Sequence, residues 1–154
     1  LEMQIEILQR ADKGLFDQSL TYGHFNLHNQ NLFTKPMVVK TTKGNEDFKQ
    51  DNYECTSMSF VEYCQSESIA IMAAAPLSMG LLTHSEPPVW HPASDELKQA
   101  CNDAANIAKE NDVNLPTLAV LFAICHNDIG GTLLGMGNRK EIDAALEIVE
   151  RFKS

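Results

Sequence analysis

"SIAIMAAAPLSMGLLT", Ser68 to Thr83, opens with an apolar run, stops at Pro76 and turns through Ser78 and Gly80 into a second short apolar piece. The run is too short to cross a bilayer as a helix and has the length of a fully buried strand. Proline cannot donate to a strand ladder, so the strand is expected to end near Pro76. The residues before it, "SFVEYCQSE", read as a short helix around Phe60 to Gln65, with the strand running from Ile69 to Ala75. The same helix-to-strand order stands at the start of the chain. Met3, Ile5, Leu8 and Ala11 follow helical spacing, Gly14 falls where a helix C-cap would be, and "LFDQSLTY" (15–22) reads as a strand.

Downstream, Ser94 followed by Asp95 and Glu96 makes a helix start, because a hydroxyl accepts a free backbone N–H and the acids oppose the positive end of the dipole. Leu97, Cys101, Ala104, Ala105 and Ala108 form its apolar stripe. Pro116 suits the first turn of another helix, and "TLAVLFAIC" (117–125) is apolar all round, as expected of a deeply buried helix between layers. "GTLLGM" (131–136) reads as the last strand. A final helix carries Ile142, Ala145, Leu146, Val149 and Phe152 on one face, opened by an Asn138–Glu141 capping box. The stretch 33–58 has no clear period and is expected to be an irregular insertion.

Helices alternating with strands predict an α/β fold with a parallel sheet covered by helices. Three strands make a poor sheet alone, so the expected parent is a closed (β/α)8 barrel, with 1–154 as its later part. The 154 residues are 44% hydrophobic, enough for one core. A net charge of -9 argues against affinity for nucleic acid or an anionic membrane, since both reward clustered Lys and Arg. Four cysteines with no C-x-x-C pair suggest neither zinc nor a disulfide framework, and a reducing cytoplasm fits. "LEMQIEILQRADKG" (1–14) lacks the features of a signal peptide, and the missing initiator Met suggests a piece of something longer.

In such barrels the working face lies at the C-terminal ends of the strands, often with a phosphate site at a helix N-terminus after the last ones. "LLGMGNRKE" (133–141) supplies glycines for close backbone approach, then helix-start N–H groups, then Arg139 and Lys140. The same residues also read as a capped helix after a glycine turn with two solvated bases. His24 and His28 stand four apart but follow a strand and lack a third ligand, so no metal is expected. Trp90 and His91 read either as substrate-facing loop residues or as a plug ahead of the next helix. His126 beside Asn127 and Asp128 reads as acid/base chemistry or as a polar helix exit, and Cys125 as packing.

"IMAAAPLSMGLLT" (71–83), "PPVWHPASDELKQA" (87–100) and "TLLGMGNRKEIDAALE" (132–147) together resemble the last third of an aldo-keto reductase, most closely the L-galactose dehydrogenase-like branch. "LTYGHFNL" (20–27) resembles the preceding family strand. The similarity covers about 1–32 loosely and 59–152 well. It implies an NAD(P)-dependent oxidoreductase acting on a small carbonyl or sugar substrate, by carbonyl reduction or sugar lactol oxidation. It places Ala74, Pro76, Leu77 and Met79 on the turn beside the nicotinamide, and Gly135, Met136, Gly137 and Asn138 on the turn that holds the cofactor phosphates.

Ala74 stands where many members of that family stack an aromatic ring on nicotinamide. Glu141 stands where NADP-preferring members often carry an arginine. A carboxylate there repels a 2′-phosphate and suits a ribose hydroxyl, which favours NAD over NADP. Ala144 and Ala145 replace a Glu-Asn pair that commonly contacts adenine. The catalytic Asp, Tyr, Lys and His of the family lie on the first half of the barrel, so the resemblance assigns no catalytic residue here. The alternative reading is a truncated, non-catalytic module that docks through open strand edges.

Overall fold

A computed structural model describes residues 1–42 and 53–153. In chain order these residues form α1 (Glu2–Arg10), β1 (Gln18–Tyr22), α2 (Asn31–Thr34), β2 (Met37–Thr42), β3 (Tyr53–Met58), α3 (Phe60–Ser66) and β4 (Ala70–Ala74). A single 3-10 turn follows at Ser78–Gly80, then α4 (Asp95–Glu110), α5 (Leu115–Ile124), β5 (Gly131–Leu133) and α6 (Arg139–Lys153). Strands β1, β4 and β5 pair in parallel in that order, giving the mixed α/β architecture expected from the alternating pattern.

Local chemistry sets most of the boundaries. Ser59 and Glu62 close a capping box on α3, the Glu62 N–H donating to Ser59 Oγ at 3.2 Å and the Ser59 N–H to Glu62 Oε2 at 2.6 Å. Hydrogen bonding from the Ser59 backbone N–H, and then from the Ser59 hydroxyl, holds the Glu62 carboxyl below its ordinary pKa. Ser94 Oγ caps α4 by accepting from the Leu97 N–H at 3.3 Å, and Asn114 Oδ1 caps α5 through the Thr117 N–H at 3.0 Å. Strand β4 ends at Ala74, and Pro76 behind it is fully buried.

The sheet is covered on one face. Thr21 pairs with Ala73 and Ala73 with Thr132 in register. Thr21, Ile71 and Ala73 are buried against a core of Ile5, Phe25, Leu32, Phe60 and Cys64. Phe25 centres this core, its ring 4.9 Å from Phe122 and 5.2 Å from Phe33. The opposite face is open, with Leu20 50%, Tyr22 56% and Leu133 41% exposed. A second cluster joins Leu81, Leu82, Cys101, Ala105, Leu115 and Ala119, and so packs α4 and α5 against the segment after β4.

Several expectations are corrected. The segment 33–58 contains an antiparallel hairpin, β2 on β3, with Met37 and Val39 turned into the core beside α1 while Val38 lies outside. Its tip, 43–52, falls outside the described residues. Helix α1 ends at Arg10 with Ala11 as its extended C-cap, so Gly14 (φ +81°) belongs to the following turn. Strand β4 is not buried throughout: Ile71, Ala73 and Ala74 are buried, Met72 is half-buried and Ala70 is exposed. Helix α5 is not buried all round either, since Leu118 reaches solvent. Ala104 lies outside the apolar stripe of α4, and Ile142, Leu146 and Phe152 of α6 are exposed. Among the described residues no helix is long and apolar enough to cross a membrane.

Candidate functional site

Parallel pairing brings like ends of strands to one edge. Tyr22, Ala74 and Leu133 stand in register as the last residues of β1, β4 and β5. The chain then leaves all three strands on the same side: the Gly23 N–H donates to Ala74 O at 3.0 Å and the Ala75 N–H to Leu133 O at 3.3 Å. A cleft of about 660 Å³ opens there, walled by the turn after β4, the turn after β5 and the first half of α6.

Of the residues expected at a cofactor site, Leu77, Met79, Gly135, Met136 and Glu141 line this cleft. Ala144 and Ala145 line it too, so the small side chains at those positions widen it. Pro76 lies beneath the wall and is fully buried, and Ala74 is 8% exposed on the strand behind it. Gly137 and Asn138 edge a shallower neighbouring depression that shares Met136 with the main cleft. His84, Ser85, Glu86 and Pro88, from the loop after the turn, close another side. Their stretch has no hydrophobic period, and nothing local in it announced a cavity wall.

The turn after β4 is conformationally costly. Ala75 (φ +63°), Ser78 (φ +48°) and Met79 (φ +52°) are non-glycine residues in the left-handed region, followed by Gly80 (φ +101°). Each such non-glycine residue costs about 1–2 kcal/mol, so surrounding contacts must hold the shape. The Ser78 N–H donates to Ala75 O at 2.9 Å and the Gly80 N–H to Leu77 O at 3.0 Å. His28 Nε2 lies 2.8 Å from Ser78 Oγ. His91 Nε2 lies 3.1 Å from Ser78 O, and His91 Nδ1 accepts from the Ala93 N–H at 3.1 Å.

Of the two roles open to Trp90 and His91, burial separates them: His91 is 5% exposed and plugs the rim, while Trp90 points to solvent. His24 and His28 do not converge. His24 Nδ1 is buried without a hydrogen-bond partner, and partial desolvation lowers the pKa of both rings. Among the described residues no three His, Cys, Asp or Glu side chains gather to hold a metal. His126 leaves α5 with its ring centroid 4.1 Å from that of Phe33 and its Nδ1 3.6 Å from Asp128, and the neighbouring Cys125 is exposed rather than packed.

The N-terminus of α6 caps itself. Asn138 Oδ1 accepts from the Glu141 N–H at 3.1 Å. Glu141 returns its carboxylate to the Asn138 side-chain amide (2.7 Å) and to the Gly137 N–H (2.6 Å). The N–H groups of Arg139 and Lys140 follow in the first turn, where a helix has no internal acceptor for them. Arg139 also pairs with Asp143 at 3.6 Å. The Glu141 carboxylate therefore stands on the cleft wall beside the N–H dipoles of the first turn of α6, while Arg139 edges the neighbouring depression.

The aldo/keto reductase family model matches residues 50–153. The chain is 26% identical to L-galactose dehydrogenase of Arabidopsis thaliana over 154 residues, covering all of this chain and 40% of that protein. It is 29% identical to D-arabinose 1-dehydrogenase of Saccharomyces cerevisiae over 147 residues, covering 95% of this chain and 37% of that protein. The chain thus spans about two fifths of the length of these curated relatives.

Proposed function

Because this chain belongs to the aldo/keto reductase family, we propose that residues 1–154 form the later sector of a (β/α)8 barrel, carrying part of the nicotinamide-cofactor site of an NAD(P)-dependent oxidoreductase. The substrate class is a small carbonyl compound or a sugar, reached by aldehyde or ketone reduction or by oxidation of a sugar lactol; the names of both relatives, each a sugar dehydrogenase, favour the sugar. The observation that carries this reading is convergence. Leu77 and Met79 lie after β4, and Gly135, Met136 and Glu141 lie after β5, yet all face one cleft at the C-terminal edge of a parallel sheet. Such an edge is where α/β folds bind cofactors.

The bound nicotinamide supplies hydride donation and acceptance. The chain's own residues bind and orient. Leu77 and Met79 offer an apolar wall for a ring, and Pro76 beneath them stiffens the turn. Gly135 and Gly137 let the backbone come close to an anion, and the first turn of α6 directs N–H dipoles toward it. Ala74 leaves the nicotinamide end without an aromatic stacking partner. Glu141, seated on the Gly137 N–H, repels an added phosphate and favours NAD over NADP. Proton transfer belongs to parts of the barrel outside this chain.

Two further features support the sector reading. The open sheet face and the exposed residues of α6 are surfaces that the other strands and helices of a barrel would cover. Four free cysteines and the acidic charge suit a cytoplasmic enzyme with neither nucleic-acid nor membrane partners. The test is titration of the full-length protein carrying this chain with NAD and NADP, read by intrinsic fluorescence and by the cofactor-induced rise in melting temperature. Saturable binding, tighter for NAD and weakened by Met79→Asp, is expected. No binding of either cofactor at millimolar concentration refutes the reading.

A further inference from the structure

Two motifs remain unabsorbed by the cofactor reading: the histidine at the end of "FNLH" (25–28) and the buried histidine of "VWHPAS" (89–94). The fold brings both onto one serine. We propose that His91 and His28 are positioning residues that hold the strained turn Ser78–Gly80 in the shape it presents to the cleft, both acting through Ser78. The proposal rests on the cofactor reading for its functional consequence, and on the turn's geometry alone for its structural one.

The turn needs an external restraint, because Ser78 and Met79 are consecutive non-glycine residues at positive φ. Its internal hydrogen bonds are compatible with other backbone shapes, and they run mainly to Leu77 O, from Gly80 and Leu82 at 3.0 and 3.2 Å. Ser78 is 8% exposed and is gripped at both of its oxygens. Its Oγ meets His28 Nε2 at 2.8 Å. Its carbonyl accepts from the Leu81 N–H at 3.2 Å and from His91 Nε2 at 3.1 Å, which uses both lone pairs. The His91 tautomer follows from its second bond. Nδ1 accepts the Ala93 N–H, so the ring proton sits on Nε2 and points at Ser78.

The ring is itself held in place. The His91 N–H donates to Pro88 O at 2.9 Å, closing a turn at the foot of α4, whose N-cap Ser94 stands three residues on. His28 is braced by its own N–H, donated to Asn26 Oδ1 at 3.1 Å, and Asn26 is fully buried. The clamp therefore ties the loop after β1 and the start of α4 to the turn after β4. Leu77 and Met79, one residue to either side of Ser78, are the side chains this restraint sets against the cleft.

The test separates the two bonds of His91 in the full-length protein carrying this chain. His91→Asn can still accept the Ala93 N–H but cannot reach Ser78, whereas His91→Gln extends a donor to the position of Nε2. Amide exchange at Gly80 and Leu82, measured without cofactor, should quicken about tenfold in His91→Asn, with α4 and α5 unchanged, and return close to wild type in His91→Gln. NAD binding should weaken about tenfold in the first variant and recover in the second. His28→Ala should act the same way in the native turn and have no further effect in Ser78→Gly, which lacks the oxygen it contacts. If His91→Asn does not fold, His28→Ala at the outer end of the clamp carries the same measurements. Unchanged exchange at Gly80 and Leu82, or a His91→Gln as loose as His91→Asn, overturns the proposal. A wild-type protein that binds no NAD overturns the cofactor reading instead, and the exchange data then decide the clamp by themselves.

Discussion

Glu141 does two things that pull against each other, and replacing it with glutamine separates them. Its carboxylate caps α6 by accepting from the Gly137 N–H and the Asn138 amide at 2.6 and 2.7 Å, and in doing so places a negative charge on the turn that would meet cofactor phosphates. Glu141→Gln keeps one acceptor oxygen, so the helix start should lose only about 0.5–1 kcal/mol, at the low end for a cap. The charge effect is larger. A unit charge about 5 Å from another, at an effective dielectric of about 40, contributes about 1.7 kcal/mol, which is between about ten- and twentyfold in an equilibrium constant. The full-length protein carrying Glu141→Gln should therefore gain about that factor in NADP affinity relative to NAD. The gain should shrink as salt rises from 0.05 to 0.5 M, roughly, because exposed charges are screened over the Debye length. The assay is paired fluorescence titration of both cofactors at two ionic strengths, with the melting temperature as control for the cap. An unchanged NADP-to-NAD ratio, with the fold intact, refutes the placing of Glu141 beside the phosphate.

Three other outcomes follow from burial and charge. Burial pushes the Cys64 thiol up to about 12 and raises that of Cys101, whereas Cys55 and Cys125 are exposed. At pH 8 an alkylating reagent should label Cys55 and Cys125 and reach the other two only in denaturant; early labelling of Cys64 by peptide mapping would contradict the packing of α3. His24 and His28 have folded pKa values depressed below the ordinary 6.5, chiefly by desolvation, so the unfolded chain binds more protons than the folded one as pH falls below that value. Their contribution to stability is complete above about pH 6.5 and is lost through the folded pKa on acidification. The urea midpoint of wild type relative to a His24→Gln, His28→Gln double variant should fall between about pH 7 and 5, and a flat difference would count against it. Finally, residues 1–154 purified alone should bind a hydrophobic dye and self-associate, because Leu20, Tyr22, Leu146 and Phe152 are uncovered. A dye-free monomer with a sharp thermal transition would show that this surface needs no partner.

What the sequence made legible is what local chemistry controls. Ser94 and the Asn138–Glu141 pair cap helices where expected because a side chain meets its own backbone within three residues. The strand before Pro76 ends where a missing donor must end it. The β2–β3 hairpin was illegible because its alternation is short. Met37 and Val39 of β2 turn inward with Met58 of β3 packed beside them, and they meet core residues such as Ile5 of α1, far away in sequence. The same limit hid His91. "WHP" offers no sign that its ring reaches thirteen residues back to Ser78. Gly14 misleads for the opposite reason: it does adopt a left-handed φ, as a C-cap glycine would, but in the turn beyond a helix that has already stopped at Arg10.

The cleft depends on register, and two glycines that carry no chemistry leave room for the strand pairing that sets it. A Cβ added at Gly131 would stand 2.5 Å from Met72 Cε, and one at Gly130 would stand 3.3 Å from the Ile71 carbonyl oxygen. The absence of side chains there lets β5 lie against β4 with Gly131 opposite Met72 and Leu133 opposite Ala74. A slip by one residue would turn Thr132, now anchored to Ala123 O at 3.1 Å, to the open face and carry Leu133 inward. It would also move the turn at Gly135 along the strand direction by about 3.3 Å relative to the turn at Ser78, enough to misalign the walls of the cleft. The glycine-rich turn proposed to meet a ligand and the glycines that let β5 lie against β4 therefore serve one geometry. The first permits close approach, and the second brings the approaching backbone to the right place.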